Sequence, residues 1–253
     1  MGLPVVLLPG AGLPAGSAYR DLLAALGEGI SPVLVDLELF ADEVPPPGYC
    51  LDLEVAAVAA AADAAGFDGF HLVGFSAGGA VALAFAAHAP ARVRSLALIE
   101  PAWAGNEGLA AEEQALWAAF SRAMALPVED RMAEFRRLHM PPGVPPPPAG
   151  PAPAAAWAAR RPRGLPTLIA AFARQRLDLD ALRSLAGPTL VVVGSRSNPD
   201  YFAREAGRLV DVLPDWEVEL FAERHHFDPP HQAEAERVAR SLHRLWARGP
   251  HGW

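Results

Sequence analysis

The sequence predicts an α/β fold built on one mostly parallel sheet, and three observations carry that expectation. Short apolar runs alternate with alanine-rich helical segments, the pattern of a parallel sheet covered by helices on both faces. The chain of 253 residues is 52% hydrophobic, enough for one large core at a length that α/β folds commonly complete as a single domain. One junction, Gly74-Phe75-Ser76-Ala77-Gly78, sets a hydroxyl between two glycines where an apolar run passes into small residues.

The elements follow in order. PVVLLPG reads as a strand and not a signal peptide: no basic residue precedes Arg20, and Pro9 and Gly10 interrupt it. A helix is expected over 17–26, a second strand at SPVLVDL and a helix over 51–65, which contains Asp63 and is too short to cross a bilayer. FHLVGFS is the third strand and 77–88 a helix. VRSLALIE is the fourth strand and ends in Glu100. From 101 to about 184 only helical signals appear, in AAEEQALWAAFSRAMAL, VEDRMAEFRRLH and LPTLIAAFARQR. Between them lies the proline-rich stretch 141–153, whose prolines lack N–H donors, so a semi-rigid surface connector is expected. Alternation resumes with GPTLVVVGS, a helix over 199–213, the strand WEVELF and a last helix over 233–247. The expected division is a core of residues 1–101 and 185–253 interrupted by a helical cap of 102–184.

Charge and cysteine content exclude several classes. The net charge is −8, from 29 acidic and 21 basic residues, every basic one arginine. A nucleic-acid partner needs a concentrated basic surface, so none is expected. Cys50 is the only cysteine and forms no internal disulfide, and no window is long enough for a membrane span. The expectation is a cytoplasmic protein with a small-molecule partner and no membrane partner.

In Gly-x-Ser-x-Gly a strand reverses into a helix within a residue or two, and the glycines make room for neighbouring backbone. The hydroxyl then stands at a helix N-terminus, where free N–H groups favour an anion. Serine is a poor nucleophile until a base takes its proton. Of the eight histidines, His71 opens a buried strand, His88 and His243 fall in helices, and His139 lies beside the proline stretch. His225 and His226 follow the last strand, at the sheet edge where ligands gather, and either is a candidate base.

With these residues in place the chain resembles the α/β-hydrolase family over nearly its whole length. VVLLPGAG resembles the first conserved-type strand and oxyanion loop, with Pro9 where many members have His. GFSAGG resembles the nucleophile elbow, and HHFDPPH the histidine loop. The resemblance implies the α/β-hydrolase fold, Ser76 as nucleophile, His226 as base with His225 as the alternative, and the N–H groups of Ala11 and Ala77 as an oxyanion hole. Nothing like the family's first two strands precedes VVLLPG, which implies a shortened sheet of about six strands.

The family's acid usually follows the strand that here reads TLVVVG, yet GSRSNPD places Ser197 and Asn198 there. Asp200 is the nearest carboxylate, but as a first-turn helix residue it is already explained by the dipole. Glu100 ends the fourth strand at the same edge as Ser76, and a carboxylate there needs a partner. Certain haloalkane dehalogenases resemble that arrangement. Glu100 is the favoured acid and Asp200 the alternative.

No cofactor or metal is expected: His225, His226, Asp228 and His231 match no zinc spacing, and PGAGLPAG lacks the Lys and Ser/Thr of a phosphate loop. Dehalogenase and epoxide-hydrolase chemistry would need a carboxylate nucleophile. The resulting expectation is a serine hydrolase that cleaves a small to medium apolar carboxylic ester through an acyl-enzyme. Thioesterase, amidase and carbon–carbon hydrolase chemistry are alternatives, as is a non-catalytic ligand-binding member of the fold. Trp103, Trp117, Phe120, Met124, Phe135, Trp157, Leu168 and Phe172 are expected to give the cap its apolar surface, without a basic cluster to suggest an anionic substrate.

Overall fold

In a computed structural model the protein is described over residues 2–145 and 155–248, without the side chains of 155–159. Six strands form one sheet in the order β2-β1-β3-β4-β5-β6, all parallel. In chain order they are β1 (Leu3–Leu8), β2 (Ile30–Leu34), β3 (Phe70–Phe75), β4 (Val93–Ile99), β5 (Thr189–Gly194) and β6 (Trp216–Phe221). The direction of sheet growth reverses between β1 and β3. In open α/β sheets that reversal opens a crevice at the carboxyl ends of the strands, where ligands bind.

Both faces of the central strands are buried, as their unbroken apolar runs require. Val5 and Leu7 of β1, with Val73, Ala97 and Ile99, pack into one core. Val6 and Leu8, with Leu72, Leu96 and Leu98, pack into the other. The first face is covered by α1 (Ala15–Ala18), α2 (Arg20–Leu26) and, from the chain end, α11 (Ala235–Ala247), which sets Leu242, Leu245 and Trp246 into the sheet. The opposite face receives α3 (Leu51–Ala64) and α4 (Ala77–His88). The alanines and glycines of α4 are buried from Ala77 to Ala86, and their small side chains let its backbone lie close to the strands.

Between β4 and β5 the described chain has helices and no strand: α5 (Ala111–Met124), α6 (Val128–Leu138), α7 (Ala155–Arg174) and α8 (Leu179–Arg183). After β5 come a π turn over Pro199–Ala203 and α9 (Arg204–Val210), where a single helix over 199–213 is expected from sequence. Asn198 accepts from the Asp200 N–H and caps that turn. The short α10 (Pro230–Ala233) leads into α11. Helix α7 starts ten residues before LPTLIAAFARQR and contains Pro162 and Pro166. Pro166 has no N–H to give to the carbonyl one turn back; the Arg131 Nη1 of α6 fills that vacancy, donating to the Pro162 oxygen at 2.7 Å. The proline connector expected over 141–153 lies, from residue 146 on, outside the described residues. No helix among the described residues is long and apolar enough to cross a membrane.

Candidate active site

Ser76 joins β3 to α4 with φ 52 and ψ −117, a conformation that an L side chain enters only at a cost of about 1–3 kcal/mol. Three glycines hold it there by leaving no room for a Cβ. A methyl on Gly74 would strike the Gly78 carbonyl, one on Gly78 would strike the Leu8 carbonyl, and one on Gly10 would come within 3.1 Å of the Ser76 Cβ. The spacing of glycines around Ser76 is thus set by backbone contact between β1, β3 and α4.

Glu100, immediately after β4, also has positive φ, at 43°. The two strained residues are laced together by backbone. The Ser76 N–H donates to Ile99 O at 3.0 Å, the Ala102 N–H donates to Ser76 O at 2.9 Å, and the Glu100 N–H donates to Val192 O at 2.9 Å.

The side chains complete a chain of hydrogen bonds. The Ser76 Oγ lies 2.9 Å from His226 Nε2, and His226 Nδ1 lies 3.1 Å from Glu100 Oε2. A carboxylate only accepts, so Nδ1 carries the proton and Nε2 offers its lone pair to the Ser76 hydroxyl. The other Glu100 oxygen accepts from the Gly194 N–H at 2.9 Å and from the Ser197 hydroxyl at 2.5 Å. Ser76, His226 and Glu100 are all buried. Burial, then the charge of Arg161 and the neighbouring His225, pulls the His226 imidazole below its ordinary range. Burial also raises the Glu100 carboxyl, against the bonds from Ser197 and Gly194.

Aromatic rings fix the imidazole. Phe202 stacks on His226 with centroids 4.6 Å apart and planes 17° apart, and Phe75 lies 5.1 Å away. His139 packs on the same ring at 4.6 Å. Its Nδ1 faces the Phe135 carbonyl at 2.6 Å, so that nitrogen is the protonated one. Asn198 clamps this turn, donating from Nδ2 to Leu138 O at 2.8 Å and from its backbone N–H to His139 O at 2.9 Å.

The two amides expected at an oxyanion hole, those of Ala11 and Ala77, make no hydrogen bond among the described residues, and both residues are buried. Ala77 is the first residue of α4, where no intrahelical acceptor exists. Gly10, beside Ala11, abuts Ser76. The Ser76, His226 and Glu100 group can therefore transfer a proton from a hydroxyl to an imidazole and hold the imidazolium with a carboxylate.

Two of the sequence alternatives are not brought to this group. Asp200 pairs with Arg204 at 3.4 Å, and its side chain is 51% exposed; it sits in the first turn after β5. The His225 ring instead accepts from the Phe227 N–H at 3.1 Å within its own loop. Ser197 and His139 are brought in, although neither stands out in the sequence as a site residue. The one signal for His139 is its i, i+4 spacing from Phe135 at the end of an amphipathic helix. Among the described residues no group of three or more His, Cys, Asp and Glu side chains is placed to hold a metal.

Of the apolar residues expected in the cap, Trp103, Phe120, Met124, Phe135, Leu168 and Phe172 are buried and Trp117 packs against them. The Trp157 side chain lies outside the described residues. Two surface cavities, one edged by Asn106, Leu177 and Arg208 and the other by Tyr49, Arg163 and Arg174, do not include Ser76.

Residues 5–241 match the family described as Alpha/beta hydrolase family. Among solved structures, a thermophilic esterase from Thermogutta terrifontis is 21% identical with a TM-score of 0.69, the match covering 98% of this chain and 90% of that one. A carboxylesterase from Bacillus subtilis is 17% identical with a TM-score of 0.64, over 96% of this chain and 83% of that one. A protein described as a membrane phospholipase A and bacterial virulence factor is 22% identical with a TM-score of 0.71, over 96% and 78%. At these identities the likeness speaks for the fold alone. No curated protein matches the sequence closely enough to serve as a relative.

Proposed function

The chain belongs to the alpha/beta hydrolase family, and from that premise we propose that it is a serine hydrolase acting on small to medium carboxylic esters through an acyl-enzyme. The observation that carries the reading is the unbroken path from the Ser76 hydroxyl through His226 to Glu100, at 2.9 and 3.1 Å.

In this reading Ser76 attacks the ester carbonyl while His226 Nε2 takes its proton. Glu100 holds the ring in the tautomer with Nδ1 protonated and stabilises the imidazolium. The amides of Ala11 and Ala77 receive the oxyanion; loss of one such donor typically costs about 3 kcal/mol in the transition state, and here both are main-chain groups that side-chain substitution leaves in place. His226 then protonates the departing alcohol. In the second half-reaction it takes a proton from water as that water attacks the acyl group, and returns it to Ser76. The described helices α5 to α8 serve as the cap over this centre, with Trp103, Phe120 and Phe172 packing them.

A fluorophosphonate probe together with nitrophenyl esters of increasing acyl length tests the proposal. Labelling at Ser76, and ester turnover abolished by Ser76→Ala, is the expected result. Equal turnover by the wild type and Ser76→Ala would remove the assignment.

A further inference from the structure

Residues 135–177 contain seven arginines and no aspartate or glutamate, in a chain of net charge −8. Most of the seven have an evident role. Arg137 pairs with Glu134 and Arg176 with Glu107, Arg160 donates to the Phe40 and Ala41 carbonyls at 3.0 and 2.7 Å, and Arg163 and Arg174 edge a separate surface cavity.

Arg136 of α6 and Arg161 of α7 have no such partner. Both are partly buried, and the Nε of each is sealed from solvent without a hydrogen-bond partner. Among the described residues neither makes an ion pair. The undescribed stretch and neighbouring side chains, residues 146–159, include no acidic group, so they supply no counter-charge.

Helices α6 and α7 link both arginines to the reacting centre. Arg136 lies three residues before His139 on α6, and the His139 ring packs 4.6 Å from His226. The bond from Arg131 to Pro162 O ties α6 to α7 beside Arg161. Arg161 acts electrostatically on both His139 and His226, while burial and then Arg136 depress its own guanidinium. Two like charges drawn out of water side by side are unfavourable unless an anion joins them. Guanidinium groups match the planar, two-oxygen geometry of a carboxylate.

We propose that Arg136 and Arg161 form a subsite for a carboxylate carried on the acyl part of the substrate, so that the preferred ester is a half-ester of a dicarboxylic acid and not a wholly apolar one. This rests on the serine-hydrolase reading of Ser76. It also replaces the expectation of a cap without a basic cluster: the arginines are scattered in sequence and meet only when α6 packs on α7.

The test compares the nitrophenyl half-ester of glutaric acid with nitrophenyl valerate, which has the same chain length but ends in a methyl group. The wild type is expected to favour the half-ester by about tenfold or more in kcat/KM, a tenfold change being the effect of one modest charge-assisted contact. Arg161→Gln and Arg136→Gln should each reduce that ratio at least tenfold, whereas Arg137→Gln, at a surface pair, should leave both rates unchanged. A wild type without preference, or an Arg161→Gln variant that loses both esters in equal proportion, would overturn the subsite. A readout without turnover separates the two readings. Glutarate should raise the Tm of the wild type by about 3 °C or more and that of Arg161→Gln by much less. If Ser76 resists the fluorophosphonate and neither ester is cleaved, the hydrolase reading fails and the glutarate shift alone decides the subsite: present and lost in Arg161→Gln it stands, and absent from the wild type it falls.

Discussion

Exchanging Glu100 for glutamine changes the acid while preserving its shape, and the structure fixes how the new side chain must sit. One oxygen of Glu100 accepts from the Gly194 N–H and the Ser197 hydroxyl, and the other faces His226 Nδ1. Glutamine has a single oxygen. Turning its –NH2 toward Gly194 would set two donors against each other and leave a buried amide unpaired, at about 1–3 kcal/mol. The oxygen is therefore expected at Gly194 and the –NH2 at His226. There it donates to Nδ1 and drives the ring proton onto Nε2, the atom that must receive the Ser76 proton. In a Ser-His-Asp system the corresponding acid-to-amide exchange lowers kcat about 10⁴-fold, about 5 kcal/mol of transition-state stabilisation. Folding stability should be unchanged or higher, because a buried ionised group is replaced by a neutral one. Initial rates on nitrophenyl valerate and urea unfolding of the same preparations check both halves. Retention of more than about a tenth of the wild-type kcat/KM would refute the reasoning, and so would an equal loss in Asp200→Asn, which is expected to stay within about twofold because its carboxylate is exposed.

Three further changes probe the supports of the site. Ser197→Ala removes the 2.5 Å bond to Glu100 and should lower kcat about tenfold at a stability cost near 1 kcal/mol; an unchanged kcat would show that the hydroxyl does not support the acid. Gly78→Ala sets a methyl against the Leu8 and Pro9 carbonyls, which backbone cannot readily yield, so a loss of about 3 kcal/mol or more is expected by chemical denaturation, and a fully stable variant would contradict the close approach. His231 is completely buried, and burial, followed by the neighbouring His226, lowers its pKa to about 3. Because the folded value lies below the unfolded one, its contribution to stability is present above about pH 6.5 and is lost as pH falls toward 3. His231→Phe should therefore flatten the acid limb of the stability profile by about 1.4 kcal/mol per pH unit between those limits, and parallel limbs would show that His231 is protonated in the folded protein.

The strands and Ser76 were legible because each is carried by local pattern. Unbroken apolar runs marked β1, β3, β4 and β5, and the glycines around Ser76 proved to be positions where backbone meets backbone. His226 was legible as one of two neighbours, since the loop after β6 delivers only the second to Ser76. Glu100 could be argued from its place at the end of an apolar strand. What supports it could not, because Ser197 is 97 residues away and its hydroxyl takes part only when β5 lies beside β4. His139 was nearly hidden for the same reason: beside a proline stretch its only local signal is its spacing from Phe135, and its place against His226 is set by Asn198 gripping the end of α6. The early start of α7 ran against local preference, since Pro162 and Pro166 argue for a break and Arg131, from another helix, supplies the compensating bond.

The two main-chain bonds that bracket Glu100, from Ser76 to Ile99 and from Ala102 to Ser76, weld Ser76 and Glu100 into a single stiff plate at the rim of the sheet. The imidazole arrives on a separate arm. Movement of that arm alone would therefore part the ring from both partners while leaving Ser76 and Glu100 in register with each other.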